Sequence, residues 1–115
     1  MDILQDKAYK FALRIVRLSE YLNNEKKEFI LSRKILDSGT NVGLFIEEGK
    51  QGDSRPDFIL KYSLANKDAF KTNFLLRLLR DSEKITKSLA SSLLVDCEEL
   101  QKILTASLKT ARKNE

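Results

Sequence analysis

The chain has 115 residues and a net charge of +4, from 21 Lys and Arg against 17 Asp and Glu. That length supports one domain with one modest core, and one Pro with four Gly favours helices joined by short connections. Histidine is absent, which removes the commonest general base and metal ligand, and a single cysteine excludes an internal disulfide.

The spacing predicts a first helix from about Asp2 to Leu22, with Leu4, Ala8, Phe11, Ile15, Leu18 and Leu22 on one face. Beside that seam runs a second stripe, Lys7, Lys10, Arg14 and Arg17. It reads either as a solvated flank that aids solubility or as a row of phosphate contacts. In the second reading Lys109, Arg112 and Lys113 near the C-terminus extend it.

Asn23 and Asn24 break the pattern and are expected to cap a second helix, from about Glu25 to Lys50. Its seam is Ser32, Ile35, Gly39, Val42, Ile46 and Gly49, with Gly43 alongside. Each interior glycine costs a helix about 1 kcal/mol relative to alanine. Close approach of another backbone is the expected compensation, so this helix should form the tightly packed centre of the fold.

Gly49, Gly52, Asp53 and Ser54 mark the turn that ends it. Ser54 caps a third helix, about Arg55 to Asp81, with Asp57 at the capping-box position and Pro56 in the first turn. The seam here is Phe58, Tyr62, Ala65, Ala69, Thr72, Leu76 and Leu79. Off it, Ile59, Leu60, Leu64, Phe70, Phe74, Leu75 and Leu78 spread apolar surface around most of the circumference. Three sister helices cover only one face of such a helix, which predicts self-association.

Ser82 to Leu94 reads as a connector with room for one short helix. Asp96 is then the expected cap of a fourth helix, with Glu99 three residues on and a seam of Leu93, Cys97, Leu100, Leu104, Ser107 and Ala111. The architecture expected is all-α: an antiparallel up-down four-helix bundle, one domain over residues 1–115, assembled as a homo-oligomer.

Little chemistry stands out. Cys97 falls on a core seam without a histidine partner and reads as a small buried apolar residue. The neighbours Glu47–Glu48 and Glu98–Glu99 diverge by about 100° on a helix and do not share a metal or proton easily. Gly49-Lys50-Gln51-Gly52 matches the G-x-x-G of KH domains, but that fold needs strands, so a helix terminator is the better reading. No catalytic residue, metal or cofactor is expected, and the chain reads as a non-enzyme. The N-terminus lacks a signal-peptide pattern and no apolar run approaches the roughly 20 residues of a membrane span, so a cytoplasmic protein is expected.

The run Leu36-Asp37-Ser38-Gly39-Thr40-Asn41-Val42-Gly43-Leu44-Phe45-Ile46-Glu47-Glu48-Gly49, followed by Ser54-Arg55-Pro56-Asp57-Phe58, resembles a family signature. The family is that of bacterial four-helix-bundle proteins typified by the protein encoded in intervening sequences of large-subunit ribosomal RNA. The similarity covers roughly residues 8 to 110. Three positions depart from it: Asp37 stands where the family has arginine, Phe45 where it has asparagine and Glu47 where it has alanine. Phe45 suggests an extra apolar contact, and a contact between subunits is one place for it.

The resemblance implies a left-handed bundle assembled as a ring-like homopentamer. It also implies kinship with the accessory variability proteins of diversity-generating retroelements, which bind nucleic acid and a reverse transcriptase through basic surfaces. Two readings of function follow. The first is a non-enzymatic scaffold that contacts RNA or DNA phosphates through Lys7, Lys10, Arg14, Arg17, Lys109, Arg112 and Lys113. The second is a protein-interaction scaffold or accessory subunit, with a partner such as a reverse transcriptase and no nucleic-acid binding of its own.

Overall fold

Asp2 starts the first helix, in a computed structural model that describes residues 2–114. Its carboxylate accepts from the Gln5 N–H at 2.8 Å, while its own N–H donates to Gln5 Oε1 at 3.1 Å, so two otherwise orphaned donors are satisfied reciprocally. Helix α1 spans Ile3–Asn24, α2 Ile30–Gln51, α3 Arg55–Asp81 and α4 Lys87–Lys113. No strand occurs among the described residues. The rod they form is 47 Å long and 21 by 20 Å across. No described helix is long and apolar enough to cross a membrane.

Two boundaries differ from the sequence expectation. Asn23 and Asn24 complete α1 instead of capping α2. The chain reverses through Lys27, whose φ of 53° is left-handed, and the Glu28 carboxylate then accepts from the Ile30 and Leu31 N–H groups at 3.0 and 2.9 Å. A fifth, short helix does not form between α3 and α4. Thr86 caps α4 through the Leu89 N–H at 3.1 Å, so Asp96 lies inside the helix, about two and a half turns from its start. The seam continues backward from Leu93 to Ala90, which is why the early start is stable.

Short connections between long helices force antiparallel neighbours. The helices neighbour one another in the cyclic order α1–α2–α3–α4, and among the described residues no Cα pair comes within 8 Å across either diagonal. Every residue of the predicted α1 seam is buried, as are Ser32, Ile35, Gly39, Val42, Ile46 and Gly49 of α2. The small α2 seam works as close packing. A Cβ on Gly39 would come within 2.8 Å of the Ile15 side chain, and one on Gly49 within 2.8 Å of the Tyr62 ring. Gly43 is looser, its nearest neighbour being the Ala8 carbonyl oxygen at 3.7 Å from such a Cβ.

Buried hydroxyls of the core pair with each other, as burial favours. The Ser19 and Ser32 hydroxyls lie 2.7 Å apart, and Ser38 and Thr72 2.8 Å. The family-like run in α2 therefore supplies packing against α1 and α3. Phe45 is partly buried against the core. On α3, Leu60, Phe70, Phe74 and Leu78 remain 41–58% exposed, the surplus apolar surface that the sequence anticipates.

Candidate nucleic-acid interface

The basic stripe of α1 occupies the flank that faces α4. Lys7 pairs with Glu99, and the Glu99 carboxylate holds the Lys7 ammonium above the ordinary lysine range. Lys10 meets Asp6 one turn earlier, at 2.9 Å. Arg14 Nη1 lies 2.7 Å from Asp96 Oδ2, and Nη2 donates to Ser92 Oγ at 2.9 Å. Arg17 makes no ion pair among the described residues and packs beside Leu18, Tyr21, Leu89 and Leu93.

Three of the four stripe residues thus spend their charge on carboxylates. A cation already neutralised at salt-bridge distance releases fewer counterions when a phosphate replaces its partner. The pairs of Lys7 and Arg14 stitch α1 to α4, the thinnest of the four helix contacts.

The C-terminal candidates sit differently. Lys109 and Lys113 are exposed on α4 and have no carboxylate partner among the described residues. Arg112 Nη2 donates to Ser63 Oγ on α3 at 2.9 Å. Lys102, which sequence reading passed over, completes the face. The offsets of seven and four from Lys102 to Lys109 and Lys113 place all three on one side of α4. That periodicity is legible in the sequence wherever the helix starts, since Lys102 to Lys113 lie well inside it. Lys102 and Lys109 border a shallow groove of about 380 Å³ with Phe70, Gln101, Thr105 and Ala106. An exposed ring beside two ammonium groups can offer a stacking surface and phosphate contacts together.

The seven candidate residues do not form one patch in a single chain. Leu93, beside Arg17, and Lys109 are separated on α4 by about 24 Å of helix. The other chemistry weighed from sequence resolves simply. Glu47 accepts from Gln5 Nε2 at 3.2 Å and Glu48 pairs with Lys61 at 3.0 Å. The Gly52 N–H donates to the Gly49 carbonyl at 3.3 Å, as a helix terminator does. Cys97 donates to the Ala69 carbonyl at 3.2 Å, and burial pushes its thiol up to about 12, which keeps it protonated. No three Asp, Glu or Cys side chains among the described residues converge as metal ligands do.

A family model described as 23S rRNA-intervening sequence protein matches residues 2–106. A crystal structure from Bacteroides thetaiotaomicron is also similar, that of a protein of unknown function from the S23 ribosomal protein family. The two are 43% identical with a TM-score of 0.92, over 93% of this chain and 96% of that one. No curated protein matches the chain.

Proposed function

Because the chain belongs to the 23S rRNA-intervening sequence protein family, we propose that it is a non-enzymatic nucleic-acid-binding scaffold that works as a homo-oligomer. The observation that carries this reading is the row of cations on α4, Lys102, Lys109 and Lys113, which have no carboxylate partner among the described residues and lie beside the exposed Phe70 ring. Phosphates supply the affinity and the ring adds sequence-tolerant stacking. The stripe of α1 contributes Arg17, while Lys7 and Arg14 tie α1 to α4 and Lys10 pairs with Asp6 on its own helix.

A ring of five copies is the assembly that the family resemblance implies. Five chains would carry +20, five times the +4 of one. The α4 row would then repeat around the ring and raise the local concentration of an anionic polymer.

The test is a titration of labelled single-stranded RNA and DNA at about 50 and 200 mM salt. Binding should be strong at the lower salt and fall steeply at the higher. Lys109→Glu with Lys113→Glu should weaken all sequences alike and flatten the salt slope by about 0.7 per lost contact on single strands. No binding at the lower salt overturns the reading.

A further inference from the structure

Phe70 and Phe74 stand one turn apart on α3 and are 58% and 53% exposed. They line a cavity of about 940 Å³ that runs across α3, from Lys34, Asp37 and Ser38 on α2 to Leu108 and Arg112 on α4. That is room for a ligand the size of a nucleotide. Arg77 sits over Phe74 with its guanidinium carbon 5.6 Å from the ring centroid, and the ring stays half exposed. Leu60 and Leu78 lie outside the cavity, so filling it does not cover the whole apolar face of α3.

The polar groups of this cavity are poorly matched to one another. Lys34 and Lys67 have no carboxylate partner among the described residues, and Lys71 reaches Asp68 only at 3.9 Å. Asp68 is 8% exposed, and that long approach of Lys71 is its one ion pair among the described residues. Asn66 donates its Nδ2 to Thr105 at 3.3 Å and leaves a buried Oδ1 without a partner. A carboxylate taken out of water with so little compensation is a cost to folding, and such groups mark sites where a ligand supplies what the fold does not. Here the missing partners are N–H donors.

We infer that the cavity across α3 holds one base of a bound single strand and selects guanine, with Asp68 reading its Watson–Crick edge. The inference rests on the nucleic-acid reading and adds a base preference to it. Guanine presents two neighbouring donors, N1–H and the N2 amino group, to the two oxygens of a carboxylate. Adenine and cytosine set a ring acceptor beside their one amino group, and uracil flanks its one N–H with carbonyls, so each would turn an acceptor towards Asp68. Phe70 and Phe74 supply the stacking surface, while Lys34, Lys67 and Lys71 meet the flanking phosphates. Phe70 borders both this cavity and the groove of Lys102 and Lys109, so a strand held by the α4 row continues into it.

Three labelled single strands of about twelve nucleotides test this at about 50 mM salt. One is oligoadenylate, one carries guanine at every third position, and one carries inosine at those positions. The guanine strand should bind about tenfold tighter than oligoadenylate. Inosine, which keeps N1–H but lacks the amino group, should fall between them. Asp68→Asn should erase this ranking without weakening oligoadenylate, since no phosphate contact is lost. Phe74→Ala, at an exposed position, should weaken all three strands, and circular dichroism of both variants should match the parent's. A parent that binds none of the strands overturns the nucleic-acid reading and this inference with it. A parent that binds the three alike leaves that reading standing and overturns the guanine site. So does an Asp68→Asn chain that keeps the guanine preference, or a Phe74→Ala chain that weakens no strand.

Discussion

Arg14 of α1 and Asp96 of α4 meet across the bundle with Nη1 and Oδ2 2.7 Å apart, eighty-two positions apart in sequence. The same guanidinium donates to Ser92, so one side chain fastens two successive turns of α4. Charge reversal at this position therefore tests the bundle and not its surface.

Arg14→Ala should lower stability by about 1 kcal/mol, the usual size of a partly exposed charged hydrogen bond. Arg14→Glu should cost more, because its carboxylate would face Asp96. Adding Asp96→Arg should recover part of that loss. Denaturant midpoints of the three variants check the order, and an Arg14→Glu chain as stable as the parent would contradict it.

The two interior glycines of α2 should respond oppositely to alanine. At Gly39 the added methyl meets Ile15 at 2.8 Å, so something must shift, and a loss of about 1–3 kcal/mol is expected. At Gly43 the nearest atom is 3.7 Å away, ordinary contact, and the gain in helix propensity should raise stability by up to about 1 kcal/mol. Chemical denaturation reads both. A destabilised Gly43→Ala would mean that α1 sits closer than this geometry allows.

Asp68 gives a pH signature. Burial, with Asp37 nearby, pushes its carboxyl above the ordinary carboxylate value, and Lys71 opposes this only in part. Folding therefore takes up a proton there, and stability falls as pH rises from the ordinary value through the raised one. Above that window the buried charge is a standing cost. Asp68→Asn should accordingly unfold at a higher denaturant midpoint than the parent at pH 7, and the difference should shrink as pH drops below the ordinary carboxylate range. An advantage that grows on acidification would contradict the assignment. Asp2 behaves oppositely. Its hydrogen bond from Lys50 holds it low, so its contribution is present at neutral pH and is lost on acidification.

The helix seams were legible because burial imposes a period, and every predicted α1 seam residue is in the core. What the sequence hid was set by distant partners. Asp96 and Glu99 looked like first-turn acids because the Ser-rich start of α4 has weak helix propensity. Once Thr86 is the cap, those acids fall mid-helix, opposite Arg14 and Lys7. One misplaced boundary therefore concealed why the basic stripe of α1 is largely neutralised. The reversal at Lys27 was unreadable for a different reason. A left-handed lysine carries no residue signal, since glycine or asparagine is the usual choice there.

The account rests most heavily on an oligomer that holds nucleic acid. Sedimentation velocity of the chain at micromolar concentration with a fluorescent single-stranded RNA, at about 50 mM salt, measures both parts at once. The account predicts a protein species several times heavier than 13.2 kDa, with the RNA travelling in the same boundary. A 13.2 kDa protein boundary with the RNA sedimenting alone would contradict it.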